Sequence, residues 1–177
     1  RYHGKPLPAL KSLDAPQRVI YAGTFSKALF PALRCAWLVL PVKQIAQFRH
    51  QASLAPCAVP VLWQNTLADF LREGHFWRHL KKMRQHYAQR RQWIEQALTQ
   101  QGFQVVPQKG GIQMVIRMIG DDIAHARKAN AAGLAVQALS DWRIRSSGEG
   151  GLLLSFTNIV NEGMARQVAQ QLRKALS

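Results

Sequence analysis

The sequence contains no long hydrophobic run. None of its apolar stretches approaches the roughly 18 residues that a membrane-spanning helix needs. The chain opens with Arg-Tyr-His-Gly, which has none of the apolar character of a secretory signal peptide. Since 47% of the 177 residues are hydrophobic, there is still enough apolar material for one or two small cores. We therefore expect a soluble globular protein without a membrane segment.

Cysteine is also scarce, with two residues in the whole chain. Cys35 and Cys57 stand far apart and show no metal-binding spacing. Small proteins of oxidising compartments usually carry several cysteines in a disulfide framework. The composition therefore favours a reducing, cytoplasmic setting.

Acidic residues are few, because nine Asp and Glu stand against 24 Lys and Arg, for a formal net charge of +15. The imbalance is strongest in residues 1–68, where eight basic residues face a single acid, Asp14. Such an excess is compatible with nucleic-acid binding. It is also expected of half of a larger domain whose acidic face, or whose bound phosphate, lies elsewhere. We favour the second interpretation and keep the first open.

The sequence does contain a lysine between two apolar segments, residues 18–22 and 36–40, each predicted to be a short buried strand. Between them lies Gly-Thr-Phe-Ser-Lys at 23–27, and Arg34 follows Lys27 by seven residues. Because an unpaired ammonium is costly to bury, one interpretation is a Schiff base between this lysine and a cofactor aldehyde. The other interpretation is an exposed loop lysine near a solvated arginine.

This motif, followed by Leu-Phe-Pro-Ala-Leu-Arg at 29–34, resembles the lysine motif of fold-type I pyridoxal-phosphate (PLP) enzymes, the aminotransferase class I/II group. The resemblance implies that Lys27 is the catalytic lysine that forms the internal aldimine with PLP. It also implies that Thr24 and Arg34 hold the cofactor phosphate, with Ser26 as a further candidate. Such a set suits a phosphate dianion, because a guanidinium fork and hydroxyl donors match its oxygens.

The sequence after the lysine motif narrows the resemblance. This part of the chain resembles the aminotransferase-like domain of MocR-type regulators in the GntR superfamily. The resemblance lies in Asp-Phe-Leu-Arg-Glu-Gly-His at 69–75, Arg-His-Leu-Lys-Lys-Met-Arg at 78–84, Tyr87 and the pair Arg90-Arg91. The likeness extends over essentially the whole chain, starting at Arg1-Tyr2. It implies an effector-sensing domain that binds PLP and an amino-acid-like effector, forms a homodimer, and reaches DNA through a separate N-terminal domain.

Two other functions stay open. One is a working aminotransferase of the 2-aminoadipate or kynurenine type, which would transfer an amino group between an amino acid and a 2-oxo acid. The other is a truncated remnant with neither cofactor nor activity, which would bind nucleic acid through charge alone. The gene upstream of Arg1 would distinguish the regulator from the aminotransferase, since a winged helix-turn-helix encoded there indicates a regulator.

Several features of the family have no match in these 177 residues. They are the aspartate that pairs with the pyridine nitrogen, the glycine-rich helix start at the phosphate, and the winged-helix DNA reader. We therefore expect a C-terminal portion that holds PLP weakly by itself. Apolar Leu153 stands where many aminotransferases place the arginine that binds the substrate carboxylate. Arg117, Arg143 and Arg145 are the candidates to replace it, and the sequence does not choose among them.

The predicted fold class is α/β, a PLP-dependent transferase-like fold with an incomplete large domain and an α+β small domain. The predicted domains are residues 1–74 of the large domain, an interdomain helix at 75–102, and the small domain at 103–177. In the small domain, we expect helices on one mixed sheet. The predicted helices are 42–53, 61–73, 75–101, 121–132 and 158–175, and the predicted strands of the small domain are 103–106, 112–118, 134–139 and 152–156.

The long helix carries one apolar stripe, and basic residues occupy most of its remaining surface. This surface is either a ridge that binds polyanions or the solvated face of an interdomain helix, and we favour the solvated face. His75, His79 and His86 recur on one side of the helix. Since no fourth ligand or carboxylate accompanies them, we predict no metal site.

Overall fold

The computed structural model describes residue 5 and residues 7–55, 59–144 and 148–177. It contains two compact units, Lys5–Lys81 and Lys82–Ser177. The division falls within the long helix, whereas the sequence predicted domain boundaries at residues 74 and 102. That three-part domain division stays a prediction. None of the helices in the described ranges has both the length and the apolar character needed to cross a membrane.

The first unit is built around an antiparallel pair of strands, β1 (Tyr21–Thr24) and β2 (Ala36–Val39). Both strands were predicted, although β1 begins three residues later than expected. The prediction that they are buried is wrong, because seven of their eight residues are exposed and Gly23 is only partly buried. The physical reason is that a two-stranded ribbon by itself cannot cover both of its faces.

Three helices follow this ribbon: α1 (Ile45–Leu54), α2 (Val61–Arg72) and α3 (His75–Gln100). The predicted helix 42–53 differs at its start, where Val42–Gln44 form a 3-10 turn. α2 ends at Arg72, one residue before the predicted end, and Gly74 follows with a φ of +73°, a conformation that other residues adopt only with strain. The small core of the first unit consists of Phe25, Cys35, Leu67 and Phe76.

Helix α3 begins in the first unit and ends in the second, where Ile94, Ala97 and Leu98 are buried in a larger core. It ends one residue before the predicted position, 101. Gly102 has a φ of +80°, and the N–H of Phe103 donates to the carbonyl of Leu98 over 3.0 Å. This left-handed glycine and the returning hydrogen bond are typical of helix C-termini.

The second unit contains a three-stranded sheet of β3 (Gln113–Met118), β4 (Val136–Ala138) and β5 (Gly150–Ser155), in the order β3-β5-β4. Both outer strands run antiparallel to β5, so the predicted mixed sheet is wrong. The link from β4 to β5 contains only a 3-10 turn, Leu139–Trp142, within its described part. A parallel pair would need a longer crossover, usually through a helix.

The predicted strand 103–106 is also absent as a strand among the described residues. That segment makes one isolated antiparallel bridge, between Val105 and Ile116. Pro107 follows immediately, and a proline has no N–H with which to continue the ladder. Phe103 nevertheless lies in the core, so the segment packs on the sheet without joining it as a full strand.

Helices α4 (Asp122–Ala131) and α5 (Glu162–Leu176) complete the second unit. They enter the core through the small residues Ala126, Ala129, Ala165 and Ala169. α5 starts at residue 162 and not at the predicted 158, because Asn161 is the N-cap and its Oδ1 accepts the N–H of Met164 over 2.8 Å. The largest fully buried side chains all lie in this unit: Leu98, Met114, Ile116, Leu152, Phe156 and Leu172.

Candidate functional site

The four residues of the predicted site lie in or beside the connection between β1 and β2. Thr24 is the last residue of β1, Ser26 and Lys27 follow in a tight turn, and Arg34 lies two residues before β2. The ladder continues one step past Thr24, since the N–H of Phe25 donates to the carbonyl of Cys35 over 3.1 Å. The two strand ends therefore hold both ends of this connection together.

Hydroxyl and amide groups converge at the start of the connection. The N–H of Ser26 donates to Thr24 Oγ1 over 3.1 Å, and the two hydroxyl oxygens lie 3.0 Å apart. Thr24 Oγ1 also lies 3.2 Å from the carbonyl oxygen of Cys35. Hydroxyl groups can turn their protons toward an incoming acceptor, so this cluster is suited to an oxyanion such as a phosphate.

Arg34 has an unusual backbone. Its φ of 49° and ψ of 32° place it in the left-handed region, which in the described residues it shares with only one other non-glycine residue, Gln17. Its N–H donates to the carbonyl of Pro31 over 3.2 Å and closes the 3-10 turn Pro31–Leu33. A residue with a side chain pays roughly 1–2 kcal/mol for this conformation. A conformational cost of this kind at an exposed arginine motivates a functional hypothesis for its side chain.

Lys27 is exposed, and this corrects the expectation that it lies between two buried strands. The difference follows from the ribbon, whose faces are themselves exposed. The backbone around the lysine is nevertheless ordered by a turn in which the N–H of Leu29 donates to the carbonyl of Phe25 over 2.7 Å. Burial therefore gives no reason to assign a Schiff base to Lys27 within this chain, and its assignment depends on its motif and its neighbours.

Phe25, at the start of the lysine turn, packs against two other aromatic side chains. Phe25 is 8% exposed and packs edge-on against Phe76 of α3, with ring centroids 5.6 Å apart and an angle of 79°. The ring of Trp37 in β2 also packs against Phe25, with ring centroids 4.8 Å apart. Phe25 was not predicted from the sequence to have a role, although its place between two polar residues of the motif was a signal.

His79 is a second residue whose place the sequence analysis missed. Its Nε2 lies 2.9 Å from the carbonyl oxygen of Ala28, the residue that follows Lys27. The sequence had suggested only that His79 shares a helix side with His75 and His86. His75 instead pairs with Glu73 at 3.0 Å, and among the described residues no group of three potential ligands could hold a metal ion.

The candidate carboxylate-binding arginines lie in the second unit. Arg117 forms an ion pair with Glu149, and Arg143 donates to the main-chain carbonyl of the same glutamate. Arg145 lies outside the described residues. Leu153 lies on β5 opposite Val115 of β3, where its apolar side chain offers no partner to a carboxylate. The structure therefore brings Arg117 and Arg143 to one place and engages both of them with Glu149.

Asp122 anchors the same region. It is 2% exposed, and its Oδ2 accepts the N–H of Gly151 over 2.8 Å and the N–H of Ser140 over 3.2 Å. Burial alone would raise the pKa of this carboxyl group. The hydrogen bonds from Gly151 and Ser140, together with the positive charge of Arg143, outweigh that effect and hold the pKa of Asp122 below its ordinary value. The carboxylate thus ties the start of α4 to β5.

Sequence comparisons place these residues in a known family context. Residues 4–148 match the family model described as aminotransferase class I and II. The chain is 34% identical to the probable rhizopine catabolism regulatory protein MocR of Rhizobium meliloti, covering 99% of this chain and 36% of that protein. It is 29% identical to the HTH-type pyridoxine biosynthesis transcriptional regulator PdxR of Corynebacterium glutamicum, covering 100% of this chain and 39% of that protein.

Solved structures of the same fold cover the chain from end to end. The kynurenine aminotransferase of Pyrococcus horikoshii, solved with PMP, superposes with a TM-score of 0.87 at 25% identity, covering 99% of this chain and 45% of that one. LysN, the alpha-aminoadipate aminotransferase of Thermus thermophilus, solved with N-(5'-phosphopyridoxyl)-L-leucine, gives a TM-score of 0.84 at 25% identity over 99% and 46%. The chain therefore spans less than half the length of these relatives.

Proposed function

Since the chain belongs to the aminotransferase class I and II family, we propose that it is the C-terminal portion of a PLP-binding, effector-sensing domain of a MocR-type transcription regulator. Its similarity to the regulators MocR and PdxR, each over 99% or more of this chain, supports this choice. The superposition on PLP-type aminotransferases supports the same fold and cofactor.

The observation that carries the proposal is the polar cluster at the connection between β1 and β2. The hydroxyl groups of Thr24 and Ser26 and the amide of Ser26 lie together immediately before Lys27. Arg34 closes the same connection in a left-handed conformation. The hydroxyl and guanidinium donors match the oxygens of a phosphate, and the exposed Lys27 follows Ser26 directly in the chain.

The residues present therefore fit PLP, with defined parts. Thr24, Ser26 and Arg34 would hold the phosphate, and Lys27 Nζ would bind the aldehyde carbon. PLP supplies the electron sink for chemistry at the α-carbon of an amino acid. Lys27 Nζ is the group in this chain that could accept and return a proton beside the bound cofactor, and the guanidinium of Arg34 would neutralise the phosphate charge.

The whole protein is proposed to work as a cytoplasmic homodimer. An amino-acid-like effector would bind to the PLP-containing domain, and a separate N-terminal domain would bind DNA. The names of the two regulators support this division of labour, since MocR is described as a regulatory protein and PdxR as an HTH-type transcriptional regulator. The excess of basic residues in this chain then belongs to one part of a larger protein, and nucleic-acid binding by this part is not needed to explain it.

An aminotransferase acting on kynurenine or 2-aminoadipate is the alternative, and the two solved neighbours with those activities favour it. Leu153 argues against it, because an apolar side chain cannot clamp a substrate carboxylate. Turnover of kynurenine or 2-aminoadipate with a 2-oxo acid by the full-length protein would decide for the enzyme. Effector-dependent binding of the protein to its own promoter would decide for the regulator.

The cofactor assignment is tested by reducing the full-length protein with borohydride and mapping the phosphopyridoxyl peptide. We expect the label on Lys27 in the wild type and in Lys81→Ala, which removes an exposed lysine of α3, and no label in Lys27→Ala. Equal labelling of both variants would show that Lys27 does not bind the cofactor.

A further inference from the structure

We propose that His79 is a positioning residue that holds the lysine loop, defined here as residues 25–29, in the conformation that binds PLP. This inference rests on the proposed function, because it concerns the loop that presents Lys27. It adds a residue of helix α3, 51 positions away in sequence from Ala28, to the set that determines how the lysine is presented.

The contact is a directed hydrogen bond. Nε2 of His79 lies 2.9 Å from the carbonyl oxygen of Ala28. A carbonyl oxygen can only accept, so Nε2 carries the proton and donates it. His79 is half-buried, which shields the bond from competing water. Ala28 is the residue next to Lys27, so the bond fixes the main chain immediately after the lysine.

A second contact holds the start of the loop. Phe76 lies one helical turn before His79 and packs edge-on against Phe25, the first residue of the loop. Residues three apart on a helix share a face. The two contact residues in the loop, Phe25 and Ala28, are also three apart. One turn of α3 therefore contacts the loop on both sides of Lys27, at Phe25 and at Ala28.

The two contacts have different effects. The Phe25–Phe76 pair is part of a hydrophobic core and resists removal from it, but it does not set the orientation of a peptide group. The hydrogen bond from His79 does set one, because it requires the Ala28 carbonyl to point toward the imidazole. Without that bond, cofactor binding would have to order the loop as well as the lysine side chain, and affinity would fall by the cost of that ordering.

The test uses the full-length protein and three variants. His79→Phe keeps a planar ring and removes the donor, whereas His79→Gln restores a donor near the position of Nε2. His86→Phe is the matched control, since His86 is exposed on the same helix. For each protein we would measure PLP affinity by titration, and hydrogen exchange of residues 25–29 in the PLP-free form by mass spectrometry.

We expect His79→Phe to bind PLP about five- to tenfold more weakly, the size of one lost hydrogen bond. Its loop amides, including the N–H of Leu29, should exchange faster while the melting temperature stays within a few degrees of the wild type. His79→Gln should recover most of both properties, and His86→Phe should change neither. Wild-type exchange and affinity in His79→Phe would overturn the inference.

The two proposals fail in different ways. If the wild type binds no PLP, the proposed function is wrong, yet the exchange measurement on the PLP-free protein still decides whether His79 orders the loop. If the wild type binds PLP and His79→Gln behaves like His79→Phe, the hydrogen bond is not what matters and the positioning role is refuted. A uniform loss of stability in both His79 variants would likewise replace positioning with a general packing role.

Discussion

Arg34 offers a direct test through the two substitutions Arg34→Ala and Arg34→Gly. Its backbone conformation predicts that the two variants differ in stability, whereas the loss of its side chain predicts that they bind PLP equally weakly. Its left-handed conformation, with φ at 49°, costs a residue with a Cβ atom about 1–2 kcal/mol, and glycine avoids that cost. Glycine also raises the entropy of the unfolded chain, which lowers stability by about 0.5–1 kcal/mol and offsets part of that gain. Arg34→Gly should therefore be more stable than Arg34→Ala by about 0.5–1 kcal/mol.

Both substitutions remove the guanidinium in the same way. A charge-assisted hydrogen bond contributes roughly 1.5–3 kcal/mol, so each variant should bind PLP about 10- to 100-fold more weakly than the wild type. Stability and affinity should then separate, with the glycine variant the more stable of two equally weak binders. If Arg34→Ala bound PLP like the wild type, the phosphate contact assigned to Arg34 would be wrong.

The assay is thermal unfolding of the full-length protein without PLP, together with PLP titration. A difference of 1 kcal/mol corresponds to about 2–4 °C in a domain of roughly 150–250 residues, and to a smaller shift in a larger domain. Gln17 is the matched control, since its φ is 54° and its Oε1 accepts the N–H of Val42. Gln17→Gly should exceed Gln17→Ala in melting temperature by a similar amount, with unchanged PLP affinity. A lower melting temperature for Arg34→Gly than for Arg34→Ala would refute the strain argument.

Three further outcomes are expected. Gly23→Ala should destabilise the β1–β2 ribbon, because the new Cβ would lie 2.2 Å from the Trp37 ring, and near-ultraviolet circular dichroism should record the displaced tryptophan. Asp122→Asn should cost roughly 1.5–3 kcal/mol at pH 7, since it weakens the acceptor for Gly151. Because the folded pKa of Asp122 lies below its ordinary 3.8, the stabilisation is present above pH 3.8 and is lost as the pH falls through the folded pKa, so wild-type and variant unfolding curves should converge in acid. The 177-residue chain alone should hold PLP weakly, and a submicromolar affinity in a titration would contradict this.

Much of the secondary structure could be predicted, because its signals are local. The apolar stripe of α3 and the glycine that ends it placed that helix to within one residue at its C-terminus. Asp121 was predicted to begin α4, and its carboxylate accepts the N–H groups of Ile123 and Ala124 there. Side-chain periodicity and capping groups act within a few residues, so the sequence carries them directly.

For the candidate site, the sequence predicted only which residues belong to it. The motif singled out Thr24, Ser26, Lys27 and Arg34, and their roles toward PLP stay predictions. The left-handed backbone of Arg34 had no signal, since left-handed positions usually call for glycine or asparagine. The exposure of Lys27 was likewise hidden, because an apolar strand is buried only where another layer covers it.

By itself, then, the sequence determined the approximate positions of the helices and the family motif, both of which arise from residues close together in the chain. Only the tertiary structure decided that β5 lies between β3 and β4, and that His79 meets the carbonyl of Ala28 across 51 positions. Such contacts depend on how whole elements pack. An alternating apolar strand can pair with several neighbours, and a histidine on a helix can face water or protein. The surrounding side chains decide between these alternatives, because only one arrangement buries the core and satisfies its polar groups.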